Sequence, residues 1–181
     1  MAFTERYINA VNSSDLRDDE HHHSTDALAA SSIADNGSGG LLGSLLCRVK
    51  YSDGSTAREF CGGSTNLSAL LKIWLIEVEK KGRARVWVKI GSDRDISTAH
   101  ALYKRVAEKS LAHWLDSNCK VCNGTKYVEH AACKDCFGTG IAAIECNSQY
   151  ERDRIRDMVS DIEGVYQAHG SRAAAMLRRA A

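Results

Sequence analysis

Cys119-Lys-Val-Cys122-Asn-Gly-Thr-Lys126, and after six further residues Cys133-Lys-Asp-Cys136-Phe-Gly-Thr-Gly140, is the stretch that decides how this chain is organised. Two thiolates with two residues between them can curl around one ion, because the intervening backbone forms a tight knuckle, and a second such pair completes a tetrahedral shell. The ten residues from Asn123 to Ala132 between the pairs suffice for a short hairpin that brings the knuckles together. The spacing therefore predicts one Zn2+ held by Cys119, Cys122, Cys133 and Cys136, in a closed structural site that leaves no position for water. A redox CxxC would instead present one pair beside a strand-helix unit. Gly124, Gly138 and Gly140 follow the pairs. Glycine there lets the chain turn sharply and frees backbone N–H groups to point at metal-bound sulfur. Cys146 and His130 are the substitute ligands nearest in sequence, but neither stands at a knuckle spacing.

Working outward, the cysteines sit between two helical patterns. On the N-terminal side, Ser97-Thr98 opens a helix with an apolar stripe at Leu102, Val106, Leu111, Trp114 and Leu115, ending near Asp116-Ser-Asn118. On the C-terminal side, Ser148-Gln-Tyr-Glu151 reads as a capping box, in which serine and glutamate satisfy each other's orphan backbone donors. A long helix follows, with Ile155, Met158, Val159, Ile162 and Tyr166 on one face; it is expected to fade at Gly170, leaving a short terminal helix that ends in Arg178-Arg179. Further upstream, Leu67, Leu70, Leu71, Trp74, Leu75 and Val78 recur at intervals of three and four, the stripe of an amphipathic helix over 67–81. Ser64, Thr65 or Asn66 can cap its start, and Gly82 can take the left-handed conformation that stops it.

From Arg83 to Ile90 the residues alternate, with Ala84, Val86, Val88 and Ile90 on one face and Arg83, Arg85, Trp87 and Lys89 on the other. That pattern predicts a short β element whose second face is either a solvated basic edge or, by its cations and aromatic plane, a surface for phosphates and a base. The apolar run Leu41, Leu42, Leu45, Leu46 and Cys47 begins after Gly39-Gly40 and precedes a turn at Asp53-Gly54. Cys47 and Cys61 have no second ligand beside them and read as small buried apolar residues. Residues 1–39 are rich in Ser, Ala, Asp and Gly, with few large apolar groups to offset the entropy of ordering, and are expected to be disordered. His21-His22-His23 lies among acids within that segment and reads as a solvated polar tract. The expected organisation is thus a disordered segment 1–39 and a mainly α, helical domain over 40–181 with a zinc-knuckle hairpin inserted at 119–140.

The composition of the 181 residues, 26% charged and 44% apolar, is that of a globular protein. Proline is absent, where average usage would give about nine residues, and helices tolerate that absence best. No apolar run reaches the eighteen residues a membrane span needs, and the N-terminus has no secretory pattern, so a cytoplasmic protein without membrane contact is expected. In that compartment thiols stay reduced, and seven cysteines with paired spacings favour metal over disulfides. The net charge of +1 conceals an uneven distribution: residues 1–46 hold seven acids against two bases, residues 72–126 twelve bases against six acids. A basic middle is the part of the chain suited to phosphates. No nucleophile-base pair or phosphate-binding glycine loop is visible, so no enzyme is expected.

Residues 133–140 match in full the CxxCxGxG knuckle of the DnaJ-type zinc fingers, while 119–126 match through Gly124, Lys126 standing where the second glycine belongs. The layout as a whole, helices ahead of a two-knuckle zinc finger and more helix after it, resembles the lambda-type bacteriophage late-gene antitermination proteins Q. At residue level the resemblance rests on 119–140. It implies a DNA-binding transcription antitermination factor that engages bacterial RNA polymerase in the cytoplasm of a bacterial host cell and suppresses pausing and termination. Lys120, Lys126 and Lys134 on the knuckles and Arg152, Arg154 and Arg156 on the following helix are then the expected phosphate contacts, with Asn123 and Gln149 placed to read base edges. The alternative is a DnaJ-like zinc module that binds protein partners without nucleic acid.

Overall fold

The computed structural model describes residues 3–12, 26–35, 41–51 and 65–180. His21-His22-His23, the Gly39-Gly40 boundary, the Asp53-Gly54 turn, Cys61 and Ser64 lie outside the described residues. The architecture is mainly helical: α1 (Phe3–Asn12), α2 (Asp26–Ala34), α3 (Leu42–Tyr51), α4 (Thr65–Ala84), α5 (Asp93–Leu115) and α6 (Gln149–Ala180), with a two-stranded antiparallel sheet of β1 (Tyr127–Val128) and β2 (Ala131–Ala132). The chain divides into two compact units, residues 1–74 with 161–181 and residues 75–160. No described helix is long and apolar enough to cross a membrane.

In the first unit, residues 3–12 and 26–34 are helices and not the disorder expected of segment 1–39. Their core mixes alanines with aromatic rings: Tyr7 and Ala10 of α1 and Ala27, Ala30 and Ala34 of α2 cluster with Cys47 of α3 and with Ala173 and Leu177 of α6, and the partly buried Phe3, Tyr51 and Tyr166 pack against them. Alanine loses no rotamer freedom on burial and lets the helices approach closely, while Phe3 and Tyr7 supply the apolar area from the N-terminal segment. Cys47 is buried as expected; burial, with Asp35 nearby, pushes its thiol up to about 12, which makes it inert. Beside this cluster lies a buried polar trio. His169 is 0% exposed; Ser31 Oγ lies 3.0 Å from its Nε2 and Asp35 Oδ1 lies 3.3 Å from its Nδ1. Asp35 Oδ1 also accepts from Ser44 N at 3.0 Å. A Cβ on Gly43 would come within 2.4 Å of the His169 ring, so glycine makes room for it. Helix α6 runs unbroken through Gly164 and Gly170, correcting the expected fade at Gly170. An interior glycine costs a helix about 1 kcal/mol, and burial of Ala173 and Leu177 beyond it offsets that.

The second unit contains the C-terminal half of α4, α5, the cysteine module and the start of α6. Its fully buried side chains include Val78, Val106, Leu111, Ile155 and Met158, four of them on the stripes read from sequence for α5 and α6. The expected β element over Arg83–Ile90 is absent. Helix α4 passes Gly82 and ends at Ala84, and the left-handed position is taken by Val86 at φ 50°. Trp87 N donates to Gly82 O at 2.9 Å and Val86 N to Arg83 O at 3.1 Å, the paired bonds of a Schellman stop. This turns Val86 outward, 61% exposed, and folds Trp87 inward to 6%, the reverse of the alternating reading. Gly82 is small because the Tyr103 ring lies where its Cβ would be, at 2.3 Å. Helix α5 begins at Asp93, earlier than Ser97-Thr98: Ser92 Oγ accepts from Asp95 N and donates to Asp95 Oδ2.

Candidate metal centre

Between α5 and α6 the chain first closes a neck. The backbone of Asp116 caps α5 by donating to Ala112 O at 3.0 Å. Cys119 N then donates to Gly140 O at 2.9 Å, Ala142 N donates to Ser117 O at 2.8 Å, and Asn118 pairs with Ile141 in an antiparallel bridge. Entry and exit thus lie side by side. Inside the neck the two knuckles repeat one another. Thr125 N donates to Cys122 O at 2.9 Å and Thr139 N to Cys136 O at 3.0 Å. Each threonine hydroxyl bonds the same carbonyl, at 2.6 and 2.7 Å. The central residues of both turns have positive φ, 46° and 80° at Asn123 and Gly124 and 51° and 74° at Phe137 and Gly138, which are type I′ turns. Between the knuckles, Tyr127 pairs with Ala132 and Val128 with Ala131, and Glu129 and His130 form a third turn of this hand at 49° and 68°.

This scaffold brings the four predicted thiols together. Cys119, Cys122, Cys133 and Cys136 are all buried, and their sulfurs lie within 4.8 Å of one another. The pairs across the knuckles, Cys119 with Cys133 and Cys122 with Cys136, are 3.9 and 3.7 Å apart. Gly140 N donates to Cys136 Sγ at 3.2 Å, the sulfur-directed amide expected of these glycines. Although burial opposes it, that amide and the neighbouring thiols bring Cys136 down to about 6. Against the lowering pull of the Cys122 backbone amide, burial and the adjacent thiols raise Cys119 to about 11. Such a set surrenders its protons when a divalent cation neutralises it, and the four can hold one metal ion. His130 is exposed on its hairpin turn, and Cys146 Sγ donates to Ile144 O and Ser148 O at 3.7 and 3.4 Å; neither joins the cluster.

The six basic residues singled out from sequence fall in different settings. Lys120 is ion-paired with Asp116. Lys126 and Lys134 are exposed and have no ion-pair partner among the described residues. Arg152 donates to Gln149 Oε1 at 3.0 Å, and Arg156 lies 3.8 Å from Asp153 on the exposed face of α6. The Arg154 guanidinium is stacked 4.6 Å from the Tyr150 ring and 5.6 Å from Trp87, while Tyr150 Oη donates to Trp87 O at 2.5 Å. Of the two base readers, Gln149 is engaged with Asp153 at 2.8 Å and Asn123 is exposed at its turn. Glu151 fills half of the expected capping box, its N–H donating to Ser148 Oγ at 3.1 Å. Its buried carboxylate turns instead to α5, 3.5 Å from Arg105 and 3.8 Å from Lys109. Sequence reasoning missed the apolar side chains that the module turns outward: Val121, Tyr127, Phe137 and Ile141 are all exposed, Phe137 by 88%. The signal was available in the pairing of Phe137 with the polar Asn123 at equivalent knuckle positions.

Fold and site together define a mainly helical protein whose four-cysteine module can bind a metal ion. Searches of protein-family models, curated proteins and solved structures find no match to this chain.

Proposed function

We propose that the ion is zinc and that the chain is a DNA-binding transcription antitermination factor which engages bacterial RNA polymerase in the host cytoplasm. The donor set supports zinc. Four thiolates at zinc–sulfur bonds of about 2.3 Å define a tetrahedron with edges of about 3.8 Å, against the 3.7 and 3.9 Å between the facing sulfurs. A shell of four sulfurs leaves no open coordination position, so the ion organises structure and does not activate water. The observation that carries the nucleic-acid reading is the surface this ion would hold rigid: Lys126 and Lys134, exposed on the knuckles and without an ion-pair partner among the described residues, within the same compact unit as Arg152 and Arg156 at the start of α6. Run-off transcription past a terminator, with and without the zinc-loaded protein, tests it. Added protein should raise read-through; unchanged termination, on templates that include any promoter found downstream of the gene, would sink it. Metal analysis should find about one zinc per chain, and Cys136→Ser should abolish it and unfold the cysteine module.

A second reading, a zinc module that binds protein partners, is favoured by the exposed Val121, Tyr127 and Ile141. DNA affinity that does not change with salt would decide for it.

A further inference from the structure

Phe137 is the most exposed large apolar side chain among the described residues, and it stands at a rigid place. Its backbone is held at φ 51° in a turn closed by Thr139 N to Cys136 O and by Gly138 N to Cys133 O, at 3.0 Å each. Cys136 on one side is a metal ligand of the proposed site, and Gly138 on the other packs 3.6 Å, by its missing Cβ, from Ala132. A flexible loop would let an unpartnered phenyl ring fold back onto the protein; this turn keeps it out. Tyr127, 61% exposed, begins β1 in the same module, and Lys126 and Lys134 lie one and three residues from these rings. Asn123, with two amide donors and a carbonyl, occupies in the first knuckle the position that Phe137 holds in the second. Aromatic planes interleaved with cations are what unpaired nucleotides require, since every base has a face that stacks while duplex bases keep theirs covered.

We infer that the knuckle face is a binding site for single-stranded nucleic acid, in which an unpaired base stacks on Phe137, a second on Tyr127, and Lys126 and Lys134 meet the intervening phosphates. This deepens the nucleic-acid reading above and rests on it. The charge of the module limits the electrostatic part. Four thiolates around a divalent ion leave a net −2 beneath the two lysines, so stacking supplies most of the affinity and the salt dependence is shallow. Two phosphate contacts on a single strand give a log-log slope of about −1.4.

The test uses the full-length, zinc-loaded protein and fluorescein-labelled 12-mers of oligo-U and oligo-dT, each against a duplex of the same length, read by anisotropy. Phe137→Ala should weaken single-strand binding about tenfold or more with zinc content and thermal midpoint unchanged, and Phe137→Trp should restore it. Tighter oligo-U than oligo-dT assigns the strand to RNA, the reverse to DNA, and either supports the site. Duplex binding that is tighter than single-strand binding and indifferent to Phe137→Ala would overturn this inference while leaving the DNA-binding reading standing. If the folded, zinc-loaded protein binds none of the probes, both fall.

Discussion

Positions 126 and 140 are equivalent in the two knuckles and share a left-handed backbone, φ 72° and 79°, yet one is lysine and the other glycine. The difference has a steric cause. A Cβ on Gly140 would lie 2.8 Å from Gly124 O, a backbone atom that cannot swing aside, and the same residue donates its N–H to Cys136 Sγ and accepts from Cys119 N. Gly140→Ala therefore adds left-handed strain of about 1–2 kcal/mol and displaces backbone hydrogen bonds worth about 1 kcal/mol each, for a loss of about 2–4 kcal/mol. Lys126→Gly works in the other direction. It relieves about 1–2 kcal/mol of strain against about 0.5–1 kcal/mol of extra unfolded-state freedom, a gain of up to about 1.5 kcal/mol. Because metal binding and folding of such a module are one equilibrium, the loss at 140 appears as an apparent zinc affinity lower by about thirtyfold to a thousandfold. Competition with a chromogenic chelator and urea unfolding of the metal-loaded protein measure the two quantities. Gly140→Ala with parental zinc affinity, or changes of the same sign at both positions, would refute the steric account.

Two further outcomes follow from strain and burial elsewhere. Val86→Gly places glycine at the left-handed stop of α4, where the valine it replaces is mostly exposed, and should raise stability by up to about 1 kcal/mol, or a few degrees in Tm; a lower Tm would show that Val86 makes contacts the stop depends on. Burial holds the His169 imidazole below its ordinary 6.5, against an upward pull from Asp35 and with Arg172 adding to the depression. A base whose folded pKa is depressed contributes stability that is complete above the unfolded value and is lost as pH falls below about 6.5. The urea midpoint should accordingly fall between pH 7.5 and 5.5 by more in the parent than in His169→Gln, and equal falls in the two would show that His169 is not the group responsible.

What could be read in advance follows the range of the interaction. The stripe Leu67, Leu70, Trp74, Val78 and the Ser148 cap act over three or four residues, and the cysteine pairs act through spacing alone, so each is written locally. The misread segment 83–90 failed for a local reason too: a β-branched valine in the left-handed region is a poor prior, and the helix stop it makes turns Trp87 inward where strict alternation turns it out. The core of α1, α2, α3 and α6 was invisible because the few large groups of the N-terminal segment, Phe3 and Tyr7, find their partners Tyr51, Tyr166 and Leu177 only far along the chain. The Ser31–His169–Asp35 trio joins residues more than 130 apart in the chain, and no pattern in a single sequence announces such a pair. At the metal centre the ligands were legible and their outward neighbours were not, since exposure of Phe137 depends on the hand of a turn.

The neck formed by Ser117, Asn118, Ile141 and Ala142 makes the metal module a detachable cassette. Its two ends leave the helical framework as adjacent antiparallel residues, the geometry any tight hairpin presents. Replacement of 119–140 by a two-residue Asn-Gly turn would therefore keep α5 and α6 joined at their present separation, and grafting 117–142 onto a hairpin of an unrelated scaffold would carry the whole binding face with it. The framework and the face it displays are thereby free to change independently of each other.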